Sequence, residues 1–320
     1  MIAKPPPREG SMGFLFLPPY RVQGTSIAGE SSCIQIPELD ICFDMGLCPR
    51  IALASKFVAI SHGHMDHIGG LAYYCSQRHF QGMGEGTIIC DARIAPHIER
   101  MMAGYVELER QNTPFKVIAL EPGGEFQIKN NIVIRAFEVE HTVPAFGYVI
   151  VEKRSKLKEE YAGLPQEKLR ELKDRNVEIT RTLQVPQVAY LGDTQPGPAL
   201  VRDDVRKAQI VICECTFTEP EHKERAKTGM HMHAEAVAEW LRVLECQHLV
   251  LCHLSRRTNL AFARKRLTEL AGTAAMQKVQ ILMDYRINKE RYDRQVVAAG
   301  GVVESGPPPR RVSSTRPVRP

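Results

Sequence analysis

One ten-residue segment constrains the fold of this chain more than any other. Residues 61–70, SHGHMDHIGG, follow directly on the apolar run 57–60, FVAI, which predicts a buried strand. The chain contains 11 histidines, and three of them fall in this segment together with one aspartate. Side chains two residues apart in an extended chain point the same way, so His62 and His64 can bind one metal ion together. The fold must therefore end a strand at a metal site.

The residues that follow extend this interpretation to a second metal ion. Asp66 and His67 fall in the turn after the strand, from which they can bind an ion close to the first. Gly69 and Gly70 let the backbone turn and pack closely at the start of a helix. Imidazole and carboxylate ligands without thiolate favour zinc, with manganese or iron as alternatives.

Such a centre needs further ligands from later strands. His141 follows the apolar run 131–139, Asp193 follows the run 187–191, and His253 follows the run 248–252. Each lies where a strand should end, which is where α/β folds place their sites. Any one of them alone could be an ordinary core or loop residue. Their order after the first motif indicates a centre in which the aspartate bridges two ions, with a water or hydroxide between them as nucleophile.

The hydrophobic pattern predicts an α/β fold with helices on the outer faces of sheets. The first half is dominated by strands, at 14–17, 33–36, 39–43, 57–60, 87–90, 116–120, 131–139 and 146–151, with one helix at 92–103. The second half alternates strands at 187–191, 209–213 and 248–252 with helices at 197–207, 233–245 and 259–271. We expect a hydrolase domain over 11–300.

Two segments stand apart from this pattern. Residues 152–184 are highly charged and helical in pattern only over 166–174, so we interpret them as an inserted arm. Residues 301–320 are rich in proline and arginine with almost no large apolar side chains, which predicts a disordered tail. The four arginines of that tail account for most of the net charge of +5, so overall charge is weak evidence for a nucleic-acid partner.

Composition and cysteine spacing indicate the cellular compartment. The N-terminal residues lack the apolar core of a signal peptide, and no apolar run approaches the roughly 20 residues that cross a bilayer, so we expect a soluble protein. The nine cysteines include no Cys-x-x-Cys pair, which favours buried thiols in a reducing compartment. Cys213 and Cys215 alternate along a predicted strand, so both should face the core rather than a metal.

The order of these motifs resembles that of one known family. The matching stretches, which span most of the chain from about Gly24 to Tyr285, are 24–29 (GTSIAG), 43–46 (FDMG), 61–71, 146–149 (FGYV), 191–194 (LGDT), 214–217 (ECTF), 230–233 (MHMH) and 253–257 (HLSRR). They are similar to short-form tRNase Z of the metallo-β-lactamase superfamily, above all to its plant-type members. The resemblance implies a metallo-β-lactamase fold, a four-layer αββα sandwich.

The resemblance also implies a role for each candidate ligand. Two zinc ions would each have three ligands of their own and share one aspartate. The first set is His62, His64 and His141, the second is Asp66, His67 and His253, and the shared residue is Asp193.

Three residues take catalytic roles by the same resemblance. Asp66 would also orient or deprotonate the attacking water. Glu214 would hold His231, whose imidazole would protonate the leaving oxygen. His233 is an alternative for the role of His231, whereas we interpret His222 and His248 as structural.

The implied function is a cytoplasmic, homodimeric endoribonuclease that removes the 3′ trailer from precursor tRNA and leaves a 3′-hydroxyl on the tRNA. The arm would grip the tRNA backbone far from the metals through basic residues, namely Lys153, Arg154, Lys156 and Lys158. Its near balance of charge also fits a solvated helix that pairs with itself. The chain departs from the family at 257–258, Arg-Thr, where an aromatic Tyr is usual, and its arm is not the long Gly/Pro-rich one.

Two other readings stay open at this point. A different two-metal hydrolase of the same fold would act on a small phosphodiester, thioester or lactone. A non-catalytic RNA-binding or zinc-storing protein could also retain the ligands, although the presence of Glu214 and His231 beside all seven argues against it.

Overall fold

A computed structural model describes residues 2–7 and 12–303 of the chain as two seven-stranded mixed sheets with helices outside them. The first sheet contains, in order, β1 (Gly13–Leu17), β2 (Tyr20–Ile27), β3 (Ser31–Ile36), β4 (Ile41–Phe43), β5 (Phe57–Ala59), β6 (Gly86–Asp91) and β7 (Phe115–Leu120). The second contains β8 (Glu125–Lys129), β9 (Ile132–Glu138), β10 (Phe146–Leu157), β11 (Thr180–Tyr190), β12 (Ile210–Glu214), β13 (His248–Cys252) and β14 (Val279–Ile281).

The two sheets repeat one pairing scheme. Strands β1 to β4 pair antiparallel and β4 to β7 parallel, while β8 to β11 pair antiparallel and β11 to β14 parallel. Parallel neighbours end at the same edge, so the loops after β4, β5, β11, β12 and β13 can converge on one site.

Ten α-helices cover or connect these strands within the described part of the chain. They are α1 (Met65–Ile68), α2 (Leu71–Phe80), α3 (Ala95–Glu109), α4 (Gln166–Asp174), α5 (Asp203–Arg206), α6 (Lys223–Gly229), α7 (Ala234–Trp240), α8 (Leu260–Ala271), α9 (Thr273–Met276) and α10 (Tyr285–Ala298).

Three hydrophobic clusters define the layers. The central one lies between the sheets and joins Phe43 of the first to Tyr148 and Val250 of the second. One outer cluster packs α2 and α3 on the first sheet, and the other packs α7 and α8 on the second, through residues such as Trp240 and Leu267. Each fully buried large apolar side chain contributes roughly 1.5–3 kcal/mol to such a core. This arrangement confirms the predicted α/β fold with four layers.

Several element boundaries differ from those predicted. The predicted strand 39–43 is shorter because Pro37 begins a 3₁₀ turn that ends at Asp40, whose φ is 57°. The predicted helix 197–207 is broken where Arg202 is extended, leaving a 3₁₀ turn over Pro198–Val201 and the short α5. The predicted helices 92–103 and 233–245 correspond to α3, which begins at Ala95, and α7, which ends at Trp240. The pattern missed β2, β8 and α10.

The predicted arm is the far end of a long hairpin. Strand β9 pairs with β10 only as far as Glu152, yet β10 and β11 stay paired out to Leu157 and Thr180. Beyond Glu152 the hairpin is therefore a two-stranded ribbon, and α4 at its end buries no residue. Residues 304–320, most of the predicted tail, lie outside the described residues.

Candidate active site

The predicted ligands meet at the edge where the parallel strands end. His62 and His64 follow β5 at the start of α1, which itself carries Asp66 and His67. The remaining three come from the second sheet: His141 follows β9, Asp193 follows β11, and His253 follows β13. All seven therefore lie where strand-end reasoning expected them.

The first group of ligands consists of three imidazoles. Ring nitrogens of His62, His64 and His141 all lie within 4.8 Å of one another. His141 donates its Nδ1 proton to the carbonyl of Met230 at 3.2 Å, which leaves its Nε2, 3.3 Å from Nδ1 of His64, free to face a metal. A hydrogen bond that fixes the tautomer in this way is usual for a metal-bound histidine.

The second group combines one carboxylate with two imidazoles. Nε2 of His253 lies 3.4 Å from Oδ2 of Asp66, and Nε2 of His67 lies 3.6 Å from the same oxygen. Asp193 stands between the two groups, with its Oδ2 3.9 Å from His62, 3.4 Å from His67 and 3.4 Å from His253. One carboxylate oxygen thus faces nitrogens of both groups, as a bridging ligand must.

Asp44, which sequence reasoning left without a role, organises the floor of the site. Its fully buried carboxylate accepts four hydrogen bonds, from the backbone and hydroxyl of Ser61, from Nδ1 of His67 at 2.7 Å and from the hydroxyl of Tyr190 at 2.5 Å. These bonds fix the tautomer and angle of the His67 ring. The signal was present, because Asp44 follows the apolar strand β4, as the candidate ligands follow theirs.

An unpartnered nitrogen shows that the donor set fits a metal. Nε2 of His67 is buried and has no hydrogen-bond partner, although Nδ1 of the same ring is bonded to Asp44. A buried polar atom without a partner costs about 1–3 kcal/mol. Here the atom points at Asp66 and Asp193, so a cation between them would satisfy all three groups.

Burial and neighbouring charges shift the pKa values of the candidate ligands. Burial, with the neighbouring His67 charge, lowers the pKa of His62 to about 2, which keeps this ring neutral and able to ligate. Burial opposes ionisation of Asp193, but the surrounding His253, His67 and His62 outweigh it and hold the pKa of the carboxyl well below its usual range. Burial likewise opposes ionisation of Asp66, whose pKa is nevertheless lowered by the hydrogen bond from His253 and the charge of His67.

A carboxylate and imidazole pair borders the metal ligands. Nδ1 of His231 donates to Oε1 of the buried Glu214 at 2.7 Å. Glu214 is held in turn by the backbone of Thr194 at 2.9 Å and by the hydroxyl of Thr216 at 2.5 Å. Burial opposes a charge on His231, but the hydrogen bond that it donates to Glu214 outweighs burial and raises the pKa of the imidazole. The pair can therefore deliver a proton.

The other histidines have structural contacts. His233, the alternative to His231, caps α7 through Nδ1 and reaches the carbonyl of Glu219 with Nε2 at 3.0 Å. His222 contacts the carboxylate of Glu219 at 3.3 Å. Cys213 and Cys215 lie in the outer core of the second sheet, on the opposite face of β12 from Glu214, as alternation predicted.

Three residues at the site have an unusual backbone conformation. Asp44, Met230 and His253 have φ values of 60°, 53° and 55°, in the left-handed region that non-glycine residues rarely adopt. Gly46 is required by space, since an added Cβ would lie 1.9 Å from the carbonyl oxygen of Asp66. The surrounding fold thus holds these side chains in positions that local preference would not choose.

The predicted RNA-binding residues lie away from this cluster, on the ribbon. Lys153 pairs with Glu125 at 2.6 Å, Arg154 with Glu152 at 2.6 Å and Lys158 with Glu178 at 3.5 Å. Of the four, only Lys156 has no ion pair within the described residues.

Comparisons with known proteins agree with this site. A family model described as a β-lactamase superfamily domain matches residues 49–254. tRNase Z TRZ1 of Arabidopsis thaliana is 34% identical over 241 residues, which cover 74% of this chain and 86% of that protein. The chain belongs to the tRNase Z family. The chloroplastic tRNase Z TRZ2 of the same plant is 30% identical to this tRNase Z over 83% of the chain and 76% of the relative.

Solved structures share the fold of this tRNase Z at low sequence identity. The metallo-β-lactamase fold protein YhfI of Bacillus subtilis has a TM-score of 0.58 at 15% identity, and human short-form tRNase Z has one of 0.52 at 17%. Each comparison covers 84% of this chain and 95% of the other. Across residues 2–7 and 12–303, none of the helices has the length and apolar character needed to cross a membrane.

Proposed function

We propose that this tRNase Z is a metal-dependent endoribonuclease that removes the 3′ trailer of precursor tRNA. The observation that carries the proposal is the Glu214–His231 pair, hydrogen-bonded at 2.7 Å directly beside the seven clustered ligands. Hydrolysis of an RNA phosphodiester needs a proton for an alkoxide leaving group, and an activated acyl or aryl ester does not. Relatives named as tRNase Z, similar over most of their length, support the same substrate.

The ligands would hold two ions, for which zinc suits the donor set. His62, His64 and His141 would bind one, a second set would bind the other, and Asp193 would be shared. The second set is Asp66, His67 and His253. When bound, the ions would stabilise the charge on both the attacking and the leaving oxygen of an in-line displacement.

Side chains of the protein would accept and donate the protons of the reaction. Asp66 would orient water for attack on phosphorus and accept one of its protons. As the bond from phosphorus to the 3′ oxygen breaks, His231 would give its proton to that oxygen while Glu214 holds the ring. The products would be a tRNA with a 3′-hydroxyl and a trailer with a 5′-phosphate.

Further parts of the proposal concern the rest of the chain. The hydrolase domain would cover 11–300, the arm 152–184 would contact the tRNA backbone through residues 153–158, and 301–320 would be a tail. Family membership supports a homodimer. A cytoplasmic location agrees with the absence of a disulfide among the nine cysteines, all of which lie within residues 12–303.

The test is cleavage of a precursor tRNA that carries a 3′ trailer, with both product ends mapped. We expect a 3′-hydroxyl on the tRNA, and loss of cleavage when a chelator removes the metal. Turnover of bis(p-nitrophenyl) phosphate by a protein that leaves precursor tRNA uncut would instead favour a two-metal hydrolase of small substrates.

A further inference from the structure

A cavity of about 320 Å³ adjoins the catalytic pair and has no part in the chemistry described so far. Thr216 and Phe217, from the loop after β12, and Arg225, from α6, line one side of it. Ser255, Arg257 and Thr258, from the loop after β13, line the other. Its volume falls in the range of roughly 300–1,000 Å³ that small-ligand pockets occupy.

Shared residues join this cavity to the reacting groups. Thr216 lines the cavity, and its hydroxyl contacts Glu214 at 2.5 Å and Nδ1 of His253 at 3.0 Å. The ring centroid of Phe217 is 6.1 Å from that of His231. A group bound in the cavity would therefore lie next to the leaving oxygen.

Phe217 is fixed in place by the backbone. It forms a β-bridge with His233, accepts a hydrogen bond from the backbone of Ala234 at 2.9 Å and donates to that of Met232 at 3.4 Å. Its ring is only partly buried, and the ring of His222 meets it edge-on at 5.8 Å. A partly exposed aromatic ring on a rigid backbone suits stacking by a nucleobase.

The charge of the cavity suits a phosphate. The guanidinium of Arg225 lies 5.5 Å from the centre of the Phe217 ring, and neither it nor that of Arg257 has a carboxylate within 4.0 Å among the described residues. The one carboxylate lining the cavity, that of Glu219, is 3.3 Å from both His222 and the backbone of Thr218. Two guanidiniums thus remain available to an anion.

A second cavity, on the His141 side of the cluster, has side chains that are less favourable to an anion. It measures about 430 Å³ and is lined by Glu138, Glu140 and Arg93. Arg93 is already paired with Asp91 at 2.5 Å and with Glu138 at 3.2 Å. An RNA backbone entering beside the metals would therefore be attracted to the Phe217 side.

We propose that the cavity between Phe217 and Arg257 is a nucleotide subsite. The base stacks on Phe217, and the phosphate of the same nucleotide contacts Arg225 and Arg257. The occupant is the retained nucleotide whose 3′ oxygen leaves, because the ring centroid of Phe217, which lines this cavity, lies 6.1 Å from that of His231, which would protonate that oxygen. The assignment rests on the proposed function.

Variants at Phe217 and at Arg257 test the stacking and the phosphate contact separately. Phe217→Ala should raise KM for precursor tRNA about tenfold, the scale of one lost base stack. Phe217→Tyr should restore KM and Phe217→Leu should not, because leucine keeps apolar volume without an aromatic face. Arg257→Ala should raise KM and lower the salt slope of log KM by roughly 0.7, the contribution of one phosphate.

Arg242→Ala is the matched control, since this exposed arginine lies beyond the far end of α7 and should leave KM and salt slope unchanged. Equal losses of kcat on precursor tRNA and bis(p-nitrophenyl) phosphate, with KM unchanged, would mean that Phe217 only supports His231 and would overturn the subsite.

A binding assay separates this inference from the proposed function. Anisotropy of a labelled five-nucleotide single-stranded RNA should report weaker binding by Phe217→Ala and Arg257→Ala than by wild type. If wild type leaves precursor tRNA uncut, the proposed function fails, and the anisotropy alone decides the subsite. Wild-type affinity in both variants would overturn the subsite even if the tRNA is cut.

Discussion

The cluster of candidate metal ligands and the arm are both dense in charged or ionisable groups, but the charges of the two regions are compensated in different ways. In the cluster, Oδ2 of the buried Asp193 lies 3.4–3.9 Å from the imidazoles of His62, His67 and His253, which is longer than a good hydrogen bond. The buried Nε2 of His67 has no hydrogen-bond partner. On the arm, lysines and arginines are solvated, and four of the nine in residues 152–184 pair with a nearby carboxylate. Groups held apart at a cost indicate a ligand between them, whereas groups that pair with each other indicate only a soluble surface.

The largest effect should come from removing the shared carboxylate. Asp193→Ala is expected to lose metal and activity together, since two cations a few ångströms apart would lose the anion between them. Inductively coupled plasma emission spectroscopy measures the metal content of the variant, and cleavage of precursor tRNA measures its activity. Full metal content with normal turnover would remove Asp193 from the site.

The acid pair should behave differently from the ligands. His231→Ala is expected to keep its metals and to cleave precursor tRNA roughly 10²-fold more slowly, the scale of a lost general acid. Bis(p-nitrophenyl) phosphate, whose nitrophenolate leaves without a proton, should show a much smaller loss. Similar losses on both substrates would indicate a structural role.

A variant of Asp44 tests how much the hydrogen bonds that hold the candidate ligands contribute to metal affinity. Asp44→Asn would turn an amide donor toward groups that all donate to this position, and it should weaken metal affinity about 10–100-fold. Asp40→Asn is the matched control, because Asp40 only accepts a bond from the backbone of Lys56, which an amide oxygen can also accept. Equal affinity in the two variants would contradict the role of Asp44.

The smallest effect is expected from the arm. Replacing residues 153–182 with a short Gly/Ser linker removes nine basic and six acidic residues. It should raise KM for precursor tRNA several-fold and flatten its salt dependence, because the net positive charge lost is small. Turnover of bis(p-nitrophenyl) phosphate should stay near normal. An unchanged KM and salt slope for the RNA would leave the arm as a self-paired surface.

The same contrast explains what the sequence could and could not predict. The positions of the candidate ligands at strand ends were predictable, because strand alternation and strand termini are local properties that place His62, His64, Asp193 and His253. The family assignment and the α/β fold are confirmed. Asp44 remained without a role because its contacts with Tyr190, 146 residues away in sequence, exist only after the sheets pack.

The break in the predicted helix 197–207 was missed for a similar reason. Arg202 turns extended where its guanidinium packs 4.9 Å over the Phe137 ring and pairs with Asp204, and no periodicity encodes that contact. The cavity at Phe217 also depends on loops that lie 38 residues apart in sequence, between 217 and 255.

The long hairpin of β10 and β11, whose register shifts once between Ile150 and Val151, sets how far the arm reaches from the candidate active site. The strands run from Phe146 and Tyr190 beside the metal ligands to Leu157 and Thr180 at the ribbon, a span of roughly 35 Å at about 3.3 Å per residue. Because faces alternate, adding two residues to each strand would move the tip outward by about 7 Å with its side chains still facing the same way, whereas adding one would reverse them. The hairpin can therefore be lengthened or shortened without reversing the faces of its tip only in steps of two residues per strand.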